Sequence, residues 1–156
     1  MEIERKFLID GFPDLPPSSE KEVEQGYLCT DPVVRIRCAR SADRTDYVLC
    51  FKGEGTLARE EIELSLDSEI YTRLAGLLKA PLIRKTYKTY ALSDGHRLEV
   101  SLVDEGAPSA FFYAEVEFES VEEAEAFVPP PFLGRDVTEE PGFGMSEYWN
   151  RRISPV

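Results

Sequence analysis

Apolar and polar residues alternate with a period of two along most of this chain, as is typical of β-strands with one buried face. The alternation predicts eight strands, at roughly residues 1–9, 22–29, 33–40, 46–52, 59–65, 83–92, 96–103 and 111–119. Turn-forming residues such as Asp31-Pro32 and Asp94-Gly95 separate most of these strands. We therefore expect a mainly β (α+β) protein.

Three segments break the alternation and predict helices. Residues 67–79 carry apolar side chains at helical spacing, which predicts an amphipathic helix. Ser120, followed three residues later by Glu123, has the pattern of a capping box and predicts a second, short helix. A third helix is predicted over residues 146–153. Its Tyr148 and Trp149 are expected to pack the helix against the strands.

The polar faces of several predicted strands carry clusters of like charge: Glu2 with Glu4, Arg35 with Arg37, Glu61 with Glu63, and Glu115 with Glu117. One interpretation is a half-solvated antiparallel sheet whose charged face meets water. The other is a closed barrel with a polar lumen, in which arginine rows face glutamate rows and like charges do not lie opposite one another. The pattern alone leaves both interpretations open.

The first strand also suggests metal chemistry. Glu2, Glu4 and Lys6 share one face, opposite Ile3 and Phe7. Two neighbouring carboxylates repel each other unless a cation lies between them, and hard divalent cations such as magnesium prefer carboxylate oxygens. A divalent metal is therefore the obvious candidate ligand for this face.

Composition narrows the possible partners. The net charge of −12 argues against a nucleic-acid surface, which is normally basic. It also repels a free polyphosphate at long range, so a phosphate site must concentrate positive charge locally or reach the phosphate through bound metal.

The 156 residues are most simply one domain, spanning 1–156. No apolar run is long enough for a membrane span, and the charged start of the chain does not have the pattern of a secretory signal, so we expect a cytoplasmic protein. Three cysteines without a CxxC pair predict reduced thiols rather than a disulfide framework or a zinc site.

The segment Glu2-Ile3-Glu4-Arg5-Lys6 resembles the signature of the CYTH superfamily, the triphosphate tunnel metalloenzymes. Further family motifs follow in order along nearly the whole chain: Gln25-Gly26-Tyr27-Leu28, Arg35-Ile36-Arg37, Phe51-Lys52-Gly53, Arg59-Glu60-Glu61-Ile62-Glu63, Ile83-Arg84-Lys85, Leu98-Glu99-Val100, Ala114-Glu115-Val116-Glu117 and Asp136-Val137-Thr138. The resemblance implies a single CYTH-like domain, built as a closed eight-stranded antiparallel β-barrel with a few flanking helices. The barrel would form a tunnel for a triphosphate.

The resemblance also implies roles for the charged residues. Cationic side chains suit the oxygens of a triphosphate, and the phosphate-binding set is Arg35, Arg37, Lys52, Arg59 and Lys85. Carboxylates would act through Mg²⁺ or Mn²⁺, and the metal-binding set is Glu2, Glu4, Glu61, Glu63, Glu115 and Glu117. The catalytic candidates are Lys6, Glu4 and Lys85, and the acceptor of the water proton is left open between Lys6 and a glutamate.

The expected activity is metal-dependent hydrolysis of a small-molecule triphosphate, with inorganic tripolyphosphate as the first candidate. Thiamine triphosphatase and class IV adenylate cyclase use similar tunnels and are alternatives, and a binding module that holds polyphosphate without turning it over is an alternative of another class. Two departures from the family pattern bear on this choice. Tyr87 stands where the family commonly has an arginine, and Ser101 where it commonly has an aspartate. No nucleic-acid or membrane partner is expected, and the oligomeric state is open.

Arg40, Arg44, Lys88 and Arg97 lack motif support and are expected on the surface, and His96, the one histidine of the sequence, lies beside a predicted turn. His96 is interpreted as an exposed residue of this hairpin turn.

Overall fold

The computed structural model describes residues 1–153 and contains nine strands and three helices. In chain order the elements are β1 (Glu2–Leu8), β2 (Ser19–Thr30), β3 (Val33–Arg40), β4 (Thr45–Lys52), β5 (Ala58–Arg59), β6 (Glu61–Ser65), α1 (Ser68–Ala75), β7 (Ile83–Ala91), β8 (Arg97–Val103), β9 (Phe111–Glu117), α2 (Val121–Ala126) and α3 (Met145–Ile153). No helix within this described part is long and apolar enough to cross a membrane.

The strands form one antiparallel sheet in the order β5-β1-β9-β8-β7-β2-β3-β4-β6. Its two outermost strands, β5 and β6, are consecutive in the chain and separated only by Glu60. The sheet therefore curls round until its two ends meet in one stretch of backbone, which makes a nearly closed barrel.

The prediction of eight strands and full closure needs correction at this seam. The segment predicted as one strand over 59–65 is two strands, because the chain changes its pairing partner at Glu60. Before it, β5 pairs with Glu2 and Ile3 of β1; after it, β6 pairs with β4. The backbone carbonyl of Glu60 accepts a hydrogen bond from Gly53 N at 2.9 Å and so remains tied to the β4 side.

The apolar faces of the strands point outward, and helices and loops cover most of them, although Ile62 and Leu64 of β6 remain exposed. One buried cluster combines Phe7, Leu98 and Val116 of the strands with Ala124 of α2 and Phe127 just beyond it. A second cluster packs Ile36 and Cys38 of β3 against Tyr71 of α1. The charged faces consequently point into the barrel. The sequence left two interpretations open, and the one with a polar lumen is correct.

Helix α3 packs against one end of the barrel. Its Tyr148 and Trp149 are buried in a cluster with Tyr27, Ile83 and Tyr113 of the strands. The rings of Tyr27 and Trp149 lie 6.0 Å apart, centroid to centroid. As expected from the sequence, the two aromatic residues of α3 hold this helix against the strands.

Helix α2 begins directly after its predicted capping residue, whereas α1 is shorter than expected. Asp67 caps α1 by accepting a hydrogen bond from Ile70 N at 2.8 Å, and the helix ends at Gly76 instead of continuing to Lys79. In α2, Ser120 Oγ accepts the N–H of Glu123 at 3.1 Å, which is one half of the predicted capping box. The other half is missing because the Glu123 carboxylate contacts His96 instead, at 2.6 Å from Nε2.

His96 is not the exposed turn residue that the sequence suggested. Its side chain is 19% exposed, and its ring makes edge contacts with Phe118 and Phe127 at 5.0 and 5.4 Å. Nδ1 lies 2.9 Å from Asp94 Oδ2, a charge contact whose geometry is poor for a hydrogen bond. The turn between β7 and β8 folds over α2, and this tertiary contact buries the ring.

The pH dependence of stability tests the charge state of His96. Asp94 makes the largest contribution to the raised pKa of His96. Burial acts to lower this pKa, and Glu123 acts to raise it. Stability from protonated His96 is thus fully present below the ordinary pKa of 6.5 and is lost as pH rises through the raised pKa. We expect wild type to exceed His96→Gln by about 0.5–1 kcal/mol in the acidic range and by less at alkaline pH, in urea unfolding at a series of pH values. A difference that stays constant with pH would mean that folding does not change the pKa of His96.

Candidate active site

All twelve charged residues predicted for the site line one cavity of about 760 Å³ inside the barrel. Strand register brings them together, because lumen-facing positions of neighbouring strands lie side by side. Glu4 pairs with Glu117 and Lys6 with Glu115 across β1 and β9. Across β4 and β6, Lys52 pairs with Glu61.

Three carboxylates converge where β1 and β9 meet. Oxygen atoms of Glu2, Glu4 and Glu117 all lie within 4.8 Å of one another. Burial, then the charges of Glu115 and Glu2, raise the pKa of Glu4 well above its ordinary value. Burial and then Glu99 raise the pKa of Glu117 to about 7. Because these carboxylates are close together and buried, their ionised forms are disfavoured in the absence of a cation. Their oxygen atoms are the type of ligand that a hard divalent cation binds.

Glu2 differs from its two neighbours because it is paired with cations. Lys52 Nζ lies 3.1 Å from Glu2 Oε1 and 3.4 Å from Glu61 Oε2, and Arg59 Nε lies 3.3 Å from Glu2 Oε1. Although burial acts in the opposite direction, Lys52 and a hydrogen bond with Glu61 lower the pKa of Glu2 to about 2. Glu2 is therefore ionised at neutral pH, which a metal ligand requires.

Glu61 and Glu63 belong to β6, which follows the seam at Glu60. The ligand atoms of Cys50, Glu61 and Glu63 lie within 4.8 Å of one another. Glu63 is also 3.8 Å from Arg37. Glu115 is in neither group. Burial acts to raise the pKa of Glu115, but the net shift is downward. The charge of Lys6 lowers this pKa most, followed by a hydrogen bond with Glu4 and the charge of Lys85. The predicted metal set thus falls into two groups of carboxylates, with Glu115 among the lysines.

The interior also presents a wall of cations with unused hydrogen-bonding capacity. Arg35 and Lys85 are 9% and 7% exposed, and Arg37 lies beside them in the lumen. Within residues 1–153, the buried Nε atoms of Arg35 and Arg37 have no hydrogen-bond partner. Buried N–H donors are normally paired, so these donors are suited to an incoming oxyanion.

Two lysines have lowered pKa values. Burial lowers the pKa of Lys85 to about 7; Glu115 opposes this shift, whereas Arg35 and Arg37 add to it. Burial likewise lowers the pKa of Lys6, whose Nζ donates to the backbone carbonyl of Phe143. At neutral pH, therefore, a substantial fraction of Lys85 is an uncharged amine that can accept a proton.

Strand β8 contributes residues that the sequence interpretation missed. Glu99 is 7% exposed inside the lumen, and Arg97 Nη2 lies 2.7 Å from Glu99 Oε1. Arg97 therefore lines the cavity, although its side chain is 61% exposed at the mouth. The alternation of Leu98 and Val100 as outward residues was the signal that could have placed Arg97 and Glu99 inside.

No family model matches the chain. It is 37% identical over 139 residues, 89% of this chain and 90% of the relative, to an inorganic triphosphatase of Nitrosomonas europaea. A crystal structure of an inorganic triphosphatase superposes with a TM-score of 0.65 at 29% identity and covers 98% of this chain and 95% of that chain. A conserved hypothetical protein from Pyrococcus furiosus superposes with a TM-score of 0.57 at 25% identity, covering 80% of this chain and 84% of that one.

The similarity in sequence extends over nearly the whole length of both proteins, and the folds agree over the same length. Together with the lumen-facing charges of the nearly closed barrel, it identifies the chain as a member of the inorganic triphosphatases of the CYTH superfamily of triphosphate tunnel metalloenzymes.

Proposed function

We propose that this protein hydrolyses inorganic triphosphate inside the barrel, with a divalent metal as cofactor. The observation that carries the proposal is the meeting, in one cavity, of buried arginine donors without partners and a cluster of mutually repelling carboxylates. The first group suits the oxygens of a polyphosphate, and the second suits a cation that accompanies it. The related protein of Nitrosomonas europaea, an inorganic triphosphatase, supports the choice of substrate.

The cationic wall would hold the phosphate chain. Within the described residues 1–153 the Nε atoms of Arg35 and Arg37 have no hydrogen-bond partner, so they could donate to phosphate oxygens, and Lys85 lies beside them. Lys52 and Arg59 contact Glu2, so they would bind phosphate while also balancing the carboxylates. Positive charges on several strands orient the triphosphate so that water can attack its terminal phosphorus. Phosphoryl transfer depends mainly on such positioning and on charge stabilisation.

Glu2, Glu4 and Glu117 would hold a divalent metal, with Mg²⁺ or Mn²⁺ as candidates, and Glu61 and Glu63 are available for a second position. When bound, such a metal would supply positive charge that offsets the charge developing during transfer. Without a cation, these carboxylates would repel the substrate. They therefore need the cofactor before they can contribute to binding.

We assign Lys85 the role of proton acceptor. With its pKa at about 7, its neutral amine can take a proton from water as the water oxygen bonds to the terminal phosphorus. The bond from that phosphorus to the bridging oxygen breaks, which releases orthophosphate and pyrophosphate. Lys6 donates to the Phe143 carbonyl and would contribute charge to the phosphate site. Glu4 would act through the metal.

Phosphate release with malachite green tests the proposal against tripolyphosphate, thiamine triphosphate, ATP and pyrophosphate, with cyclic AMP scored separately. We expect metal-dependent release from tripolyphosphate to exceed that from the other compounds. Cyclic AMP as the sole product would identify a cyclase. Tight tripolyphosphate binding by calorimetry without phosphate release would identify a binding module.

Removing one lumen cation should weaken substrate binding. We expect Arg37→Ala and Lys52→Ala each to reduce affinity for tripolyphosphate by about 1.5–3 kcal/mol, as expected for charge-assisted hydrogen bonds, which corresponds to roughly 10- to 150-fold. Arg40→Ala is the matched control for Arg37, since Arg40 is an exposed residue of the same strand. Calorimetry and Michaelis constants measure the effect. Unchanged values for both lumen variants would exclude these residues from phosphate binding.

The two departures from the family pattern are direct neighbours, since Tyr87 of β7 pairs with Ser101 of β8. Tyr87→Arg alone adds a cation without its acid, and Ser101→Asp alone adds an acid to a lumen rich in glutamate. We expect the double variant to be better than the sum of the single changes, with a coupling of about 0.5–3 kcal/mol. Stability and tripolyphosphatase rate across the four proteins measure it, and strict additivity would mean that the two positions are independent.

A further inference from the structure

Tyr113 lies in the lumen at the point where two buried lysines meet. It belongs to β9, where it pairs with Leu8 of β1 and Ser101 of β8, and it is 3% exposed. Lys6 reaches the same region from β1, and Lys85 reaches it from β7, two strands away on the other side. A single aromatic side chain therefore spans the distance between lysines of separate strands.

The hydroxyl of Tyr113 holds Lys85. Lys85 Nζ donates a hydrogen bond to this oxygen at 2.8 Å, and within residues 1–153 it is the one protein group with which Lys85 Nζ makes a hydrogen bond. Ser101 of β8 pairs with Tyr113 across the two strands and is itself buried. An amine that donates one N–H to a fixed oxygen keeps its lone pair available, so this contact orients Lys85 without blocking it as a proton acceptor.

The ring of Tyr113 contacts both lysines. Lys6 Nζ lies 4.2 Å from the ring centroid and Lys85 Nζ lies 5.4 Å from it, both within the range of cation–π attraction. Lysine side chains are long and flexible, and each loses rotamer freedom when its head group is fixed. A shared ring that attracts both ammonium groups limits this freedom in the folded lumen.

We propose that Tyr113 is a positioning residue, whose hydroxyl and ring fix Lys85 and Lys6 at one depth of the tunnel. The inference rests on the proposed function, because it acts through Lys85, which would accept the proton of the attacking water, and Lys6, which would contribute charge to the phosphate site. The hydroxyl sets the direction of the Lys85 amine, and the ring sets the distance between the two lysine head groups.

Tyr113→Phe tests the role of the hydroxyl, because it keeps the ring and removes only the acceptor for Lys85. We expect kcat for tripolyphosphate to fall about 10- to 100-fold while KM stays within about threefold, since a misplaced reacting group slows the chemical step more than it weakens binding. Ser101→Ala is the matched control, because it removes a buried hydroxyl group opposite Tyr113 on the neighbouring strand and leaves the Lys85 contact in place. Its kcat should be close to that of wild type.

A second readout does not depend on turnover. Brief acetylation with acetic anhydride, followed by mass spectrometry, compares Lys85 with Lys52, which is held by Glu2. We expect Tyr113→Phe to acetylate Lys85 about threefold faster or more relative to Lys52, because one hydrogen bond has been lost, and Ser101→Ala to leave the ratio unchanged. If wild type releases no phosphate, the proposed function fails, yet this ratio still tests the positioning role.

An unchanged kcat and an unchanged acetylation ratio in Tyr113→Phe would overturn the proposal, as would an equal effect in Ser101→Ala. Thermal unfolding checks that each variant is folded. Tyr113→Met, with an apolar side chain of similar reach, serves as a second variant and should also release Lys85. If neither variant folds, Tyr113 is a core residue and the positioning role is rejected.

Discussion

Replacing Lys85 with methionine should reduce kcat for tripolyphosphate by about 10²- to 10⁴-fold, the range for loss of a general base. Burial lowers the pKa of Lys85 to about 7, so the wild-type side chain is divided between amine and ammonium at neutral pH. Methionine fills a similar volume but neither accepts a proton nor binds phosphate. Steady-state kinetics at saturating metal would measure the loss.

Lys85→Arg separates the two roles of this lysine. Arginine retains the positive charge but does not lose its proton in proteins, so substrate affinity should be largely kept while kcat falls nearly as far as in Lys85→Met. Lys88→Met is the matched control. Lys88 belongs to the same strand, but it faces outward with its Nζ 4.3 Å from the centre of the Phe12 ring, and its loss should not change kcat. A Lys85→Arg enzyme with near wild-type kcat would rule out the base.

Glu4→Gln should lower metal-dependent kcat/KM by about 100-fold or more, because it removes one charged oxygen donor from the carboxylate cluster. In the metal-free protein the same change should be stabilising. The pKa of Glu4 is raised well above its ordinary value, so the ionised form opposes folding, and stability falls as pH rises from that ordinary value through the raised one. An uncharged glutamine removes this destabilisation, and Tm should rise by roughly 2–4 °C for each 1 kcal/mol of stability gained.

Manganese titration by calorimetry and thermal unfolding with and without metal would test both parts of this prediction. Glu60→Gln is the control, since Glu60 is an exposed glutamate between β5 and β6 and belongs to neither carboxylate group. A Glu4→Gln protein that binds manganese as tightly as wild type would remove Glu4 from the metal site. Equal thermal stability of metal-free wild type and variant at neutral pH would show that the carboxylates of the cluster do not repel one another.

Much of the fold could be predicted because the inside and outside of a barrel repeat along each strand with a period of two. Strand β3 was predicted with its observed bounds, Val33–Arg40, and its inward arginines follow directly from the alternation. Predictions failed where a residue's surroundings come from a distant element. His96 is partly buried because its ring contacts Glu123 of α2, which the sequence around the turn does not reveal. The seam at Glu60 was missed because a change of pairing partner leaves the alternation intact.

The sequence by itself determined which side chains share a face, since covalent geometry turns successive residues of a strand to opposite sides. It therefore identified twelve of the charged residues that line the cavity. Only the tertiary structure decided which of them meet. The closeness of Glu2, Glu4 and Glu117 depends on register between β1 and β9, and the lowered pKa of Lys85 depends on burial. Distances and desolvation arise from packing between elements far apart in the chain, and both are needed to distinguish a solvated row of charges from a site suited to metal and phosphate.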